Sequence, residues 1–532
     1  MLDRPRALAS AALLLAGVLA SACGVSPETP SDHANAPAGG DDTASTGSGL
    51  SSHDAVSRIT VRLVPQSGVT GRTRVSFAVP LPRGALNDAS RTRVLAGGVE
   101  LSAARRALAM HPDGSVRSVQ IQVDIAIGGA AAPDLEVVVG APHAAKDLAP
   151  VPVEDTLVVP DGTQGPRVWA ILPPSWLSAS GVVGPMLTED ETAGTAYAAW
   201  SDLCDYDAYD IDAFLPKAST PGVWLYDRGT VFYRGHARRG DLETLRTAYR
   251  ETAIYRSKLT GKGQSTRNGV PDRGSDPRYS YTQNMAIHYL MTGDDRFRES
   301  AEDLAEAMAS FWPEGPGYHG ELEGLWTERH AGFTLLAYTF ASIVSDDRRD
   351  HFRALADAAV AAFLDVQEHP PKGYADANAR CFAVFAGAHK EGSPEEDYGY
   401  FGCSPWMSAI LADALDAHAT ERGGEAAEKA RASIVKLGRI LARDGRDAEG
   451  RPFYWMGVGT TKDEPDPDDE HWGESAYVIA MAYHHDEKQD PALAKAVSEL
   501  SAGLAKHGDA PHMRSFNWQC RSAPATGWFM MR

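Results

Sequence analysis

Residues 327–368 read TERHAGFTLLAYTFASIVSDDRRDHFRALADAAVAAFLDVQE. Up to Val344 the segment is apolar on nearly every side. After the polar turn Ser345-Asp-Asp347, the apolar residues keep to one stripe: Phe352, Leu355, Ala359, Phe363 and Val366. A helix that is apolar all round is buried, and one with a single stripe lies half in solvent. A short polar turn between two such helices makes an antiparallel hairpin with a buried first member and a half-exposed second.

The same alternation recurs on both sides. Residues 229–239 pair with 241–259, 280–292 with 295–312, 404–420 with 424–443, and 472–486 with 490–507, before a last helix beginning near 515. Arg239-Gly-Asp241 and Thr292-Gly-Asp-Asp295 are further polar turns. Six buried first members ringed by amphipathic partners predict an (α/α)6 toroid over 226–532, its sixth outer helix missing or irregular. In such a ring the first and last inner helices are neighbours. Cys204 precedes the first and Cys520 lies in the last, so a Cys204–Cys520 bond would close the ring, leaving Cys381 to pair with Cys403. Buried free thiols are the alternative. No CxxC or His-rich spacing occurs among the four, which argues against structural zinc.

Upstream the period changes to two. Ile59-x-Val61-x-Leu63, Val75-x-Phe77-x-Val79, Val119-x-Ile121-x-Val123-x-Ile125 and Leu135-x-Val137-x-Val139 are separated by Gly and Pro turns. That alternation predicts half-buried antiparallel strands, hence a β sandwich or barrel-like domain over 57–140. Residues 141–225, rich in Pro, Gly and acids, read as a connecting region in which Trp169-Ala-Ile-Leu172 could be a strand. Residues 23–56 are small and polar, a flexible linker. Residues 1–22, with Arg4 and Arg6 before an apolar run ending Ala20-Ser21-Ala22, read as a signal peptide.

The 532 residues carry 51 Lys+Arg against 71 Asp+Glu, a net charge of −20. No basic run exists to displace counterions from a phosphate backbone, which argues against nucleic acid as a partner.

Cys23 stands where a bacterial lipoprotein carries its lipid, and the leader resembles such a signal, although Ala20 occupies the position where that signal usually has Leu. The resemblance implies a lipid anchor at Cys23 in the cell envelope, plain secretion being the alternative. Val79-Pro-Leu-Pro-Arg-Gly-Ala-Leu86 and His111-Pro-Asp-Gly-Ser-Val-Arg117 are similar to the opening domain of exo-rhamnogalacturonan lyase-like proteins, whose "P-x-G-x-L" turn precedes a "W-x-D-G-S-V-R-W" hairpin. Ser118 here replaces the trailing Trp. The family resemblance implies a β domain ahead of an α/α toroid that processes polysaccharide. It matches no catalytic residue.

If the first helices share a direction, their starts converge on one mouth. Aromatic faces there stack on sugar rings, and helix starts offer unpaired N–H groups to an anion. A polysaccharide lyase acting on a uronic-acid glycan must neutralise the carboxylate, take the adjacent C–H proton and protonate the departing oxygen. The candidate catalytic residues are Tyr281, Arg329, His330, Glu328, His471 and Glu474. The candidate substrate-binding residues are Asp227, Gln283, Asn284, Trp326, Trp406 and Trp472. Tyr281 and Asn284 could instead pack a helix, His288 reads as a core histidine, and Glu328–Arg329 could be a structural ion pair. A glycoside hydrolase would use two carboxyl groups, drawn from Asp227, Glu328 and Glu474. A non-catalytic, glycan-binding surface lipoprotein is the third reading. The acid-rich stretches 205–212 and 463–470 could hold Ca2+, but neither has an EF-hand glycine, and solvated acidic loops fit them better. The long loops 369–403 and 444–471 could be lids or partner surfaces.

Overall fold

The computed structural model describes residues 56–129, 132–312, 327–370, 374–385, 400–466, 469–508 and 512–532. The signal, most of the linker, Cys23 and Trp326 lie outside the described residues.

The alternating segments form two facing antiparallel sheets. One has the order β4-β3-β7-β1-β8, built from β1 (Ser57–Pro65), β3 (Thr92–Ala96), β4 (Val99–Glu100), β7 (Leu135–Val139) and β8 (Val168–Ile171). The other is β2-β6-β5, from β2 (Gly71–Pro80), β5 (Ala103–Met110) and β6 (Val116–Ile127). Their inward residues alternate as read, with Ile59, Val61, Val75, Phe77, Ile121, Val123 and Val137 all buried. The expected boundary at 140 needs adjustment. β8 comes from the connecting region and pairs with β1, Leu63 opposite Ala170, so the sheet recruits a strand from beyond the first 140 residues. The rest of 141–225 is short turns of helix, including Pro174–Ser180, Glu189–Thr192 and Ile211–Phe214.

Twelve longer helical segments follow: α1 (Arg228–Arg239), α2 (Leu242–Ser257), α3 (Gln283–Thr292), α4 (Asp295–Phe311), α5 (Glu328–Val344), α6 (Arg349–Glu368), α7 (Ser408–Arg422), α8 (Gly424–Asp444), α9 (Trp472–His485), α10 (Pro491–His507), α11 (Met513–Ser522) and α12 (Thr526–Met531). Each odd-numbered helix from α1 to α11 touches the next, and α11 touches α1, so these six close a ring. All seventeen residues of α5 are buried, whereas α6 buries one stripe. The even-numbered helices α2 to α10 pack outside. Against α11 and α1, where a sixth outer helix would stand, lie the short helical turns of the connecting region. Cys204 of that region is bonded to Cys520 of α11. The ring is compatible with a toroid.

Close approach of α5 and α7 depends on Gly332, where a Cβ would meet the backbone of Ile410 and Leu411 at 2.7 Å. The long loops pair into a four-stranded sheet, β12-β11-β10-β9, from β9 (Val384–Phe385), β10 (Phe401–Cys403), β11 (Phe453–Val458) and β12 (Glu464–Pro465). A second disulfide, Cys381–Cys403, ties its edge.

The three-stranded sheet seals one mouth of the ring. Ser118 Oγ donates to Leu290 O at the end of α3 (2.6 Å), and Arg117 pairs with Glu421 at the end of α7 (2.6 Å). The two motifs singled out in the β region hold each other. Leu81 N donates to Arg117 O, Gly84 N to Ser115 Oγ, and His111 Nε2 sits 3.0 Å from Leu81 O. Their work in this chain is to lock a hairpin and dock it on the ring, away from the opposite mouth.

Candidate functional site

The starts of the inner helices gather at that opposite mouth. Its centre is one connected cluster of rings. His471, just before α9, lies flat on Trp406, with centroids 4.2 Å apart and planes 5° apart. Trp518 of α11 stands 4.7 Å from His471 and 5.5 Å from Trp406. Tyr226, two residues before α1, meets both tryptophans edge-on at 5.9 and 5.6 Å. Tyr454 of β11 closes the cluster, 5.6 Å from Trp406.

Tyr226 and Asp227 are consecutive non-glycine residues with positive φ, +72° and +57°. Such backbone costs roughly 1–3 kcal/mol per residue unless its surroundings hold it. Here both side chains hold it. Tyr226 Oη accepts from Arg329 Nη1 (3.1 Å), and Asp227 caps α1 through the N–H and hydroxyl of Thr230 (3.2 and 2.7 Å).

Arg329 also lies over the Trp406 ring at 5.0 Å. Arg514 lies over Trp518 (4.9 Å) and Arg273 over Tyr279 (6.0 Å). Among the described residues none of these three guanidinium groups has a carboxylate within ion-pair distance. Arg278, by contrast, forks onto Asp276 at 2.7 Å. His330 takes Thr327 Oγ1 on Nδ1 (2.7 Å) and has Asp276 Oδ1 3.8 Å from Nε2. Burial, with the charges of Arg278 and Arg329, pushes its pKa well down, so the imidazole is neutral.

Two carboxyl groups sit among these elements. Glu328, the first residue of α5, accepts the Ser404 N–H on Oε1 at 2.7 Å, while Oε2 has no partner among the described residues. Burial pushes its pKa up to about 7, against the opposing pull of the Ser404 amide. Glu474 has neither oxygen bonded, and its Oε1 lies 3.8 Å from His471 Nδ1.

Other expected residues lie elsewhere. Tyr281 Oη donates to Trp224 O (2.7 Å), and its N–H donates to Tyr255 Oη, so it braces the wall. Trp472 turns outward. It stacks on His507 of the segment α10 and donates its Nε1–H to Asp469. Gln283 takes Arg521 in the ring interior, where Arg521 and Arg234 both pair with Asp413. Asn284 neighbours Asp227, whose pKa is raised by burial against the pull of Arg521. His288 is a core histidine, bonded to Tyr233 Oη at 2.8 Å and stacked on Phe297. The suspected Glu328–Arg329 ion pair does not form; Glu328 turns to Ser404 and Arg329 to Tyr226.

The acid stretches are spent locally. Asp205 and Asp210 accept backbone N–H groups, and Asp212 faces Arg246 and Arg250. Asp463 accepts Gly457 N, and Asp466 accepts Glu470 N and His471 N. Among the described residues no group of three or more His, Cys, Asp or Glu is arranged to hold a metal ion. Also among them, no helix is long and apolar enough to cross a membrane.

Tyr226, Tyr454, Trp518 and Arg514 were not foreseen as site residues. Tyr226 belongs to a turn, Tyr454 to a loop strand and Trp518 to the second turn of a short helix. None of these carries the helix-start pattern used to find the others.

No protein-family model matches this chain, and its sequence matches no curated protein. The resemblance of the β-region motifs to exo-rhamnogalacturonan lyase-like proteins thus gains no support from a family match. Among solved structures, a protein described as "Glycosyl hydrolase family 88 from Bacteroides vulgatus" overlays 62% of this chain and 99% of its own length, at 10% identity and a TM-score of 0.43.

Proposed function

We propose that this chain is an exported carbohydrate-processing enzyme, a polysaccharide lyase that cleaves a uronic-acid-containing glycan by β-elimination at the aromatic mouth of an (α/α)6 toroid. The observation that carries the reading is the set of three arginines, Arg273, Arg329 and Arg514. Each lies on an aromatic ring of the mouth without a carboxylate partner, in a chain of net charge −20. A guanidinium left unpaired in an acidic protein is a receptor for an external carboxylate.

Arg329 receives the uronate carboxylate and draws charge from C5. Neutral His330 takes the C5 proton, with Asp276 behind it to settle the imidazolium. The C–H electron pair becomes the C4–C5 double bond, the C4–O bond breaks, and the departing oxygen takes a proton from Tyr226 Oη. Arg273 and Arg514 hold further acidic units. The leader supplies export, with a lipid on Cys23 as the anchor. The test is product analysis of the mature protein on acidic and neutral polysaccharides. Unsaturated ends, seen by ultraviolet absorbance, are expected; reducing ends without unsaturation would reject elimination.

Glu328 favours glycoside hydrolysis as a second reading. A carboxyl group with a pKa near 7 and one unbonded oxygen is suited to donate a proton at neutral pH. Asp227 or Glu474 would then be the second carboxylate.

A further inference from the structure

We propose that Glu474, His471 and Trp406 form a subsite that reads the hydroxyl groups of a pyranose ring, next to the arginines that take the acidic unit. The inference rests on the carbohydrate reading above. It assigns Glu474 to substrate recognition rather than to the chemical step.

Glu474 and His471 are both 2% exposed, yet among the described residues neither Glu474 oxygen has a hydrogen-bond partner, and neither does His471 Nδ1. Trp406 Nε1, on the ring that lies flat against His471, is likewise unbonded. Buried polar atoms left unpaired are costly, and where several meet they imply an occupant that repays them.

The donor and acceptor inventory selects that occupant. Glu474 offers acceptors only, Trp406 a donor only, and neutral imidazole one nitrogen of each kind. An ammonium would satisfy the carboxylate and leave the indole N–H stranded. A ligand carboxylate would do the reverse and be repelled by Glu474. Hydroxyl groups both donate and accept, so neighbouring hydroxyls of one sugar ring serve all three residues. Trp406 contributes through its edge, since its π surface is already engaged by His471 and Arg329. The substrate class is therefore a glycan in which an acidic unit adjoins a sugar with free, unsubstituted hydroxyls.

The test follows tryptophan fluorescence, for which Trp406 and Trp518 are built-in reporters, during titration with rhamnogalacturonan oligosaccharides, native and O-acetylated. The Glu474→Gln variant should bind the native oligosaccharide about tenfold more weakly, through KM rather than kcat, with an unchanged melting temperature. O-acetylation should weaken binding to the wild type and have little further effect on the variant. Trp406→Phe, which keeps an aromatic ring and removes the N–H, should weaken binding several-fold, and it decides the matter if Glu474→Gln does not fold. Wild-type affinity in both variants would overturn the subsite and leave the carbohydrate reading standing. Intact binding with kcat abolished in Glu474→Gln would overturn it in favour of proton transfer. If neither native nor acetylated glycan binds the wild type, the subsite and the carbohydrate reading fall together.

Discussion

Arg521 of the last inner helix donates to Asp413 of the fourth across the ring interior, Nη1 to Oδ2 at 2.6 Å, and Arg234 of the first reaches Oδ1 of the same carboxylate at 2.9 Å. Three helices far apart in sequence thus meet on one buried anion. The two arginines hold the Asp413 carboxyl well below the usual carboxylate range, against the opposing effect of burial.

Removing that anion leaves two guanidinium groups buried without a counter-charge, the costly way to break such a cluster. Asp413→Asn should lower unfolding free energy by about 3–5 kcal/mol, read by urea denaturation at neutral pH. Because the folded pKa is depressed, the wild-type advantage should be full above the unfolded carboxylate range and shrink as acid is added. An unchanged urea midpoint would show that the ring does not depend on the cluster.

Glu328 has the opposite sign. Its folded pKa of about 7 lies above the ordinary value of 4.5. The stability it contributes is therefore complete below about pH 4.5 and lost as pH rises through 7. Glu328→Gln copies the protonated form, so the variant should gain on the wild type between pH 5 and pH 8, by up to about 3 kcal/mol. Parallel stability-against-pH curves for the two proteins would contradict this.

Cys204–Cys520 closes a separation of 316 residues and Cys381–Cys403 one of 22. Loop-closure entropy grows with length, so losing the first should cost more, roughly 5 against 3 kcal/mol on the chain-entropy scale. Thermal unfolding of the Cys204→Ser/Cys520→Ser and Cys381→Ser/Cys403→Ser double variants measures the order. The reverse order would mean that strain or residual unfolded structure dominates.

Tyr281→Phe should leave turnover within a factor of about 3, while stranding the Trp224 carbonyl at a stability cost of roughly 1–3 kcal/mol. Arg329→Ala should lower kcat/KM by about a hundredfold or more with the fold retained by circular dichroism. Equal losses in both would place Tyr281 in the reaction after all.

Gly332→Ala forces a methyl group against the α7 backbone, which cannot step aside like a side chain. The expected cost is about 1–3 kcal/mol, visible as a lower melting temperature.

Much of this architecture was legible because it depends on period. The stripe Phe352 to Val366 and the all-apolar 331–344 are local patterns, and a helix with such a face has few places to go. The strand alternation around Val75 and Ile121 is equally local. β8 was harder to place, because its pairing with β1 spans about a hundred residues and no local signal announces it. The loop sheet was missed for the same reason. Phe401–Cys403 and Phe453–Val458 are short, and their partner strands come from different loops.

The site divides in the same way. Arg329, His330, Trp406 and His471 were found because they stand at helix starts, and a ring with a common direction brings starts together. The sequence alone thus specified two kinds of periodic segment, their order and a set of polar helix starts, since period and turn chemistry act over a few residues. Which side chains face the mouth was left to packing between distant segments. Trp472 follows His471 directly, yet one residue is a 100° turn on a helix, enough to send it outward to His507 while His471 stacks on Trp406. Tyr226, Tyr454 and Trp518 enter the mouth only because ring closure brings a turn, a loop strand and the last helix to the same place.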